Sequence, residues 1–294
     1  MTDFSKGAAH IYGAMVPIAE AKISILDWGF LHSDATYDVV HVWQGSYFRL
    51  DDHLDRFFNG MERLHMSIAY TREEVAAILS DCVKATGLSE AYVEMITTRG
   101  QPNPGSRDPR TCTNQFFAFA IPFVWIKEPQ AGLNLVVSHR QRIAAESVDP
   151  MVKNYHWLDL VMGQYDAYER GGETAALVNA QGNITEGPGF NIFAIKDAVI
   201  TTPASGVLAG ITRKTAIELA TEFGYTVVEG DLSPADARSA DELFATSTAG
   251  GIMPITTIDA QVVGSGAIGP ITQKLQTAYW ARHDNPVYSS AIDY

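Results

Sequence analysis

The sequence predicts a mixed α+β protein with two domains. The chain has 294 residues, of which 46% are apolar, and this suffices for two cores of ordinary size. Stretches with strand character outnumber helical ones, and the regular strand–helix alternation of a parallel sheet is missing. We therefore predict a smaller N-terminal domain at 1–122, a linker at 123–132 and a larger C-terminal domain at 133–294, with Lys153 early in the second domain.

Two helices are predicted in the first domain. The first spans about residues 51 to 66, where apolar residues recur at helical spacing: Leu54, Phe57, Phe58, Met61 and Leu64. The second begins after Thr71, which forms a capping-box pattern with Glu74, and it ends at Gly87.

The remaining elements are predicted from β-rich runs and their turns. Residues 99–110 contain two glycines, three prolines and three arginines, a composition typical of a loop. Helices are predicted at 155–170 and 212–223, each followed by glycine. A hairpin is predicted around Lys196-Asp197. Strands are predicted at 92–98, 115–121, 133–138, 174–179, 190–195, 198–201 and 243–246.

Bulk composition excludes several classes of function. The formal net charge of −13 argues against nucleic acid and against anionic membrane surfaces as partners. Cys82 and Cys112 are the two cysteines, too few for a disulfide framework and without the spacing of metal ligands. Neither a signal-peptide pattern nor an apolar run of about 20 residues is present. We expect a cytoplasmic protein without a bound metal.

Lys153 is the first candidate for catalysis. A lone lysine is normally a solvated surface residue, but Val152 and the run 155–158 beside it are bulky and apolar. These neighbours predict that the amine lies against buried surface. Burial lowers the pKa of a lysine and makes its neutral amine available as a nucleophile and a base.

A carboxylate and a set of phosphate donors follow Lys153 along the chain. Glu186 stands between a turn and a strand, where it could be an ordinary exposed turn acid or could face a pyridine nitrogen. The segment 210–212 opens a helix whose amides and Thr212 hydroxyl can bind phosphate, although a plain Thr N-cap would look the same. The turn 247–251 adds hydroxyl and amide donors.

Arg56, upstream, could neutralise a phosphate or could be a surface ion-pair residue. Glycine patterns typical of dinucleotide or P-loop sites are missing from the sequence. An amine, a carboxylate, a phosphate cradle and an arginine are together what pyridoxal 5′-phosphate (PLP) requires from a protein.

In this combination the chain resembles the fold-type IV, or class IV, PLP-dependent aminotransferases. The resemblance runs from about Ile23 to about Thr257 and covers most of the chain. It is carried by Lys153, Glu186 with Gly189-Phe190-Asn191, Gly210-Ile211-Thr212-Arg213 and Thr248-Ala249-Gly250-Gly251. The resemblance implies the two-domain fold of D-amino acid and branched-chain aminotransferases, and a homodimer in which loops of one subunit close the other's site.

Within that family the chain is most similar to the (R)-selective amine transaminases. The similarity lies in His32–Val39, Val42-Trp43, Phe48–Arg56, Lys153-Asn154, Trp157 and Asp159-Leu160. Branched-chain and D-amino acid enzymes carry a tyrosine five residues after the lysine, whereas Leu158 stands there in this chain.

The resemblance also implies a role for each site residue. Lys153 forms the internal aldimine with PLP and moves the substrate proton, and Glu186 pairs with the pyridine nitrogen. The other cofactor residues are Arg56, Leu208, Ile211, Thr212, Ser247 and Thr248. Substrate contacts are expected from His32, Tyr37, Val39, Tyr92, Arg107, Trp157, Thr248 and Ala249. Of the loop arginines Arg99, Arg107 and Arg110, we expect Arg107 to bind the carboxylate of the keto acid, because it lies in the middle of the loop.

The expected reaction is ping-pong transamination from an (R)-configured primary amine or a D-amino acid to a keto acid such as pyruvate. Three alternatives stay open on the sequence. They are a branched-chain L-amino acid or general D-amino acid aminotransferase, a PLP-dependent lyase of the aminodeoxychorismate type that releases pyruvate, and a binding protein that has lost its chemistry.

Overall fold

The computed structural model describes residues 3–128 and 131–294, so residues 1–2 of the predicted first domain and 129–130 of the predicted linker lie outside the described residues. The chain divides into two compact units. The first comprises Met1–Val124, Val152–His156 and Asn285–Tyr294, and the second comprises Trp125–Met151 and Trp157–Asp284. Lys153, which the sequence placed in the second domain, therefore belongs to the first unit.

Strands outnumber helices among the described residues of both units. In chain order they are β1 Ala8–Ile11, β2 Ala14–Pro17, β3 Ala35–Trp43, β4 Ser46–Phe48, β5 Ala91–Gln101, β6 Thr113–Pro122, β7 Leu133–Gln141, β8 Thr174–Val178, β9 Glu186–Gly187, β10 Phe190–Lys196, β11 Val199–Pro203, β12 Thr226–Gly230, β13 Glu242–Ser247, β14 Gly251–Ile258, β15 Gln261–Val262 and β16 Ser289–Ala291.

The α-helices are short. They are α1 Trp28–Leu31, α2 Leu50–Arg63, α3 Arg72–Thr86, α4 Leu158–Glu169, α5 Ile211–Glu222, α6 Pro234–Arg238 and α7 Pro270–Ala281. Within the described ranges, none of them combines the length and the apolar character that crossing a membrane requires.

The first unit is built on an antiparallel sheet. Its described residues form seven strands in the order β16-β4-β3-β5-β6-β1-β2, and α2 packs on β3 while α3 packs on β6. The apolar positions of α2 anticipated from the sequence enter this core, as Leu54, Phe57 and Met61 do. The predicted capping box of Thr71 and Glu74 forms at the start of α3, and Gly87 ends that helix with a left-handed φ of 65°.

The second unit has a mixed sheet of nine described strands. The main order is β12-β11-β10-β13-β14-β7-β8, with β9 paired to β10 and β15 to β14. Pairs β11–β12, β7–β14 and β7–β8 are parallel and the others are antiparallel. The hairpin between β10 and β11 turns at Asp197 and Ala198, both with positive φ, one residue later than predicted.

Helix α4 begins at Leu158, three residues after the predicted start at Tyr155. The reason is that the segment Val152–His156 pairs with β3. Asn154 forms an antiparallel bridge with Thr36, so this part of the chain lies along the first residues of β3 and does not enter the helix.

Candidate active site

The backbone of Lys153 is fixed by the beginning of β3. The Tyr37 amide and the Thr36 hydroxyl both donate to the Lys153 carbonyl oxygen, at 3.1 and 2.8 Å. The Asn154 side chain accepts from the His156 amide and donates to the Val152 carbonyl oxygen. The segment that carries the lysine is therefore attached to a central strand of the first unit.

The side chain of Lys153 lies over an aromatic ring. Its Nζ is 4.5 Å from the centroid of Tyr37, a distance at which a cation is attracted by the ring face. Tyr37 in turn stacks on Tyr155, with ring centroids 4.3 Å apart and planes inclined by 12°. Val152 is buried but Leu158 is exposed, so only part of the apolar run named in the sequence lies in buried surroundings.

Arg56 is held by a buried carboxylate that sequence reasoning missed. Its Nε and one terminal nitrogen donate to the two oxygens of Asp38, at 2.7 and 2.8 Å, and His53 Nδ1 lies 2.8 Å from the same carboxylate. Burial alone would raise the pKa of Asp38, but the charge and hydrogen bonds of Arg56 and His53 hold it well below its ordinary value. The Arg56 side chain is 12% exposed, so it is no surface ion-pair residue.

Glu186 is buried in β9 and oriented from two sides. One carboxylate oxygen accepts from the Leu208 amide at 2.9 Å and the other from Arg142 Nε at 3.0 Å. Arg142 also donates to Asp159 at 2.6 Å. Burial disfavours the charged form of Arg142, but the two carboxylates outweigh it and raise the pKa of the guanidinium. Glu186 is therefore no exposed turn acid, and its orientation depends partly on Arg142, to which the sequence assigned no role.

The start of α5 has the form of a phosphate site. Gly210 is the N-cap and none of the described side chains caps it; the first turn contains no acidic residue. A Cβ on Gly210 would lie 2.2 Å from the Asn191 side-chain oxygen, so only glycine fits there. Thr212 is the second helical residue and is buried, which rules out the plain Thr N-cap. The first amides of the helix and the Thr212 hydroxyl remain as donors.

The turn between β13 and β14 presents Thr248 and Ala249. Ser247 Oγ accepts from the Ala249 amide at 3.2 Å, which fixes the beginning of the turn. Gly251 has a φ of 65°, and a Cβ there would come within 2.8 Å of the Tyr279 ring. The turn is thus kept in one conformation by close packing, with Thr248 and Ala249 half-buried.

Each unit, taken separately, contains donors of the kinds that PLP requires. The first unit provides the amine of Lys153 and the guanidinium of Arg56. The second provides a fixed carboxylate at Glu186 and, at the start of α5, backbone amides with the hydroxyl of Thr212. A phosphate dianion requires such donors, and a pyridinium nitrogen requires such a carboxylate.

The three arginines of the loop differ in their partners. Arg99 donates to both oxygens of Asp34 and to the carbonyl oxygens of residues 64 and 65, so it ties the loop down. Arg110 pairs with Asp108. Arg107 is exposed and makes no ion pair with any residue that the structure describes. Arg107 is therefore the loop cation that could receive a carboxylate without losing a partner.

The other predicted substrate residues fall into both units. Tyr37 and Val39 on β3 share one face of the first sheet with Tyr92 on β5, and His32 is exposed beside the ring of Trp28. In the second unit Trp157 is half-buried and contacts the position of Gly189.

Comparison with known proteins extends this description. The family model described as amino-transferase class IV matches residues 35–258. A Methanocaldococcus jannaschii protein, provisionally named a branched-chain-amino-acid aminotransferase, is 33% identical over 273 residues, 92% of this chain and 94% of its own. A D-alanine aminotransferase from Bacillus licheniformis is 29% identical over 269 residues, 90% of this chain and 93% of its own.

A solved structure matches the chain over almost its whole length. The crystal structure of the T.th. branched-chain amino acid aminotransferase, complexed with N-(5′-phosphopyridoxyl)-L-glutamate, has a TM-score of 0.90 at 26% identity. The match covers 98% of this chain and 99% of that one. The fold and the cofactor class are therefore supported together.

Proposed function

Because the chain belongs to the class IV aminotransferases, which use PLP, we propose that it transfers the amino group of an (R)-configured primary amine or a D-amino acid to a keto acid such as pyruvate. The chain is an aminotransferase in either case. The choice of substrate class is the part that we add to the family assignment.

One observation carries this choice. The segment His32–Val39, whose sequence resembles (R)-selective amine transaminases, is the same segment that holds Lys153. Thr36 and Tyr37 donate to the lysine carbonyl, and the Tyr37 ring lies under its amine. Side chains that differ between subgroups of the family are thus in contact with the residue that would exchange the proton. The D-alanine aminotransferase among the relatives is consistent with a D-configured substrate.

We assign the steps of the reaction to residues of this chain. Bound PLP supplies an electron sink for the bond broken at the substrate Cα. Arg56, the amides at the start of α5 and Thr212 would bind its phosphate, and Glu186 would keep its ring nitrogen protonated. Lys153 Nζ would remove the Cα proton of the donor; after water adds at that carbon, the donor would leave as a ketone or keto acid and its amino group would stay with the cofactor. In the second half-reaction the carbonyl oxygen of the acceptor would leave as water, the amino group would pass to the acceptor, and Lys153 would deliver a proton to its Cα.

Arg107 is proposed to bind the carboxylate of the keto acid or of a D-amino acid. Its exposed side chain, without an ion-pair partner among the described residues, suits a group that also has to move aside for an apolar amine. For Arg99 or Arg110 to bind the substrate carboxylate instead, its ion pair with Asp34 or Asp108 would have to break first.

The alternative is a branched-chain L-amino acid aminotransferase. It is favoured by the names of several relatives, among them the Pseudomonas aeruginosa enzyme, which is 32% identical over 276 residues. Both enzymes would share the cofactor residues, so only the substrates distinguish them.

The spectrum of the PLP-loaded protein tests the proposal. We expect (R)-1-phenylethylamine and D-alanine to bleach the visible absorption, and (S)-1-phenylethylamine to leave it unchanged. L-leucine should bleach it more slowly than D-alanine does. Arg107→Leu is expected to lower kcat/KM for D-alanine by about tenfold or more, because a charge-assisted contact with its carboxylate is lost. The kcat/KM for (R)-1-phenylethylamine, which has no carboxylate, should change little. Fastest bleaching by L-leucine would replace the proposal with the alternative.

A homodimer is also proposed, on the basis of two exposed apolar surfaces. In the first unit, Ile25 and Phe30 are 72% and 64% exposed. In the second unit, Leu158 at the start of α4 is 73% exposed, and Tyr165, about two turns later on the same helix, is exposed as well. Apolar surfaces of this kind mark protein interfaces. Light scattering should give twice the chain mass of 32.1 kDa, and Leu158→Asp should shift the protein towards the monomer. A wild type that is monomeric at micromolar concentration would refute the dimer.

A further inference from the structure

The face of the first sheet that carries the predicted substrate residues also carries an acid. Val39 pairs with Glu94 across β3 and β5, and side chains alternate between the two faces of a strand. Tyr37, Val39, Tyr92 and Glu94 therefore lie on one face, whereas Asp38 points to the opposite face, where Arg56 binds it. Sequence reasoning chose three of these four residues and passed over Glu94.

Glu94 is 8% exposed and is held by a phenol. The Tyr155 hydroxyl donates to its carboxyl group, and Tyr92 lies two residues before Glu94 on the same face of β5. Burial and the charge of Glu94 raise the pKa of both tyrosines, so the Tyr155 phenol stays protonated and acts as a donor. The carboxyl group of Glu94 is thereby kept in one position on this face.

The carboxyl group of Glu94 lies close to the reacting amine. Burial raises the pKa of Glu94 above its ordinary value, and the Tyr155 hydrogen bond and the positive charge of Lys153 offset only part of that rise. The ring of Tyr155, which Glu94 fixes through its hydroxyl, stacks on Tyr37, and Tyr37 lies under Lys153 Nζ. A substrate bound at Lys153 therefore meets a fixed, buried carboxyl group on this face.

We propose that Glu94 is a specificity-determining residue that excludes substrates with a second carboxylate. A second buried anion beside Glu94 would repel its carboxylate or force it to take up a proton, and it would lose its own hydration; each of these costs binding free energy. The acceptors are then monocarboxylic keto acids and the donors carry uncharged substituents, so that 2-oxoglutarate and D-glutamate are poor substrates. This inference rests on the proposed function, because it assumes that this face receives the substrate.

The test compares two acceptors in the wild type and in Glu94→Gln. The amide keeps the shape of the side chain and an oxygen for the Tyr155 phenol but removes the charge. We expect the ratio of kcat/KM for 2-oxoglutarate to that for pyruvate to rise by about 10- to 100-fold, as relief of a like-charge contact predicts. Glu90→Gln removes an equal charge from an exposed position just before β5 and should leave the ratio unchanged.

A binding measurement without turnover separates the inference from the proposed function. Titration calorimetry on the PLP-loaded protein should show that butyrate binds more tightly than glutarate to the wild type, and that Glu94→Gln reduces or reverses the difference. An unchanged acceptor ratio in Glu94→Gln, or a wild type that prefers glutarate, would overturn the role of Glu94. A wild type that transfers no amino group from (R)-amines or D-amino acids would overturn the proposed function, while the binding preference would still decide the role of Glu94.

Discussion

Replacing Lys153 with alanine is expected to lower kcat for transamination by about 10⁴-fold or more, because both the nucleophile and the base are lost with one side chain. The fold should survive, since Tyr37 and Thr36 bond to the Lys153 carbonyl oxygen and not to its side chain. A coupled assay with (R)-1-phenylethylamine and pyruvate measures the loss, and thermal melting verifies the fold.

Two further variants separate chemistry from charge. Lys153→Arg keeps a cation over the Tyr37 ring but cannot provide a neutral amine, so it should be as inactive as the alanine variant. Lys274 makes a comparable contact, with Nζ 4.1 Å from the Phe223 ring centroid, and Lys274→Ala should keep nearly full activity. About a tenth of the wild-type turnover in Lys153→Ala would show that another residue provides the base.

Local sequence signals predicted the elements whose ends are fixed by nearby residues. The capping box of α3 and its closing Gly87 need only residues three apart and a glycine at the end of the helix. Gly210 at the start of α5 differs, because its requirement for glycine comes from Asn191 on β10, a strand earlier in the chain. The run 210–212 was nevertheless sufficient to predict that a helix begins there, where we propose that phosphate binds.

Contacts between distant parts of the chain could not be predicted in this way. Lys153 was assigned to the second domain because it follows the linker, yet hydrogen bonds to Thr36 and Tyr37, far earlier in the chain, attach it to the first unit. Periodicity within a segment contains no information on which strand that segment joins.

The residues that orient the site were missed for a related reason. Asp38 and Arg142 look ordinary in sequence, and their roles arise only from partners at Arg56 and Glu186. One signal was available, since an aspartate within the run Tyr37–Val40 has to be buried on one face of a strand. A buried carboxylate requires a partner of opposite charge, and Arg56 on the following helix is a candidate within reach.

Replacing Glu186 with glutamine is expected to lower kcat by about 10²- to 10³-fold, the usual cost of removing one electrostatic partner of a reacting group. The amide has one acceptor oxygen, so it keeps only one of the two hydrogen bonds that Glu186 accepts from Leu208 and Arg142, and it cannot hold a proton on the ring nitrogen of PLP. Steady-state kinetics and the dissociation constant for PLP measure the effect.

Asp159→Asn is the matched control for this variant, because Asp159 is the other carboxylate on Arg142, at 2.6 Å. Both variants remove one negative charge from the same guanidinium, so both disturb Arg142 to a similar degree. If Glu186 acts on the cofactor directly, Glu186→Gln should lose far more activity than Asp159→Asn at similar melting temperatures. Equal losses would mean that Glu186 serves only to neutralise Arg142, and the assignment of its carboxylate to the pyridine nitrogen would fall.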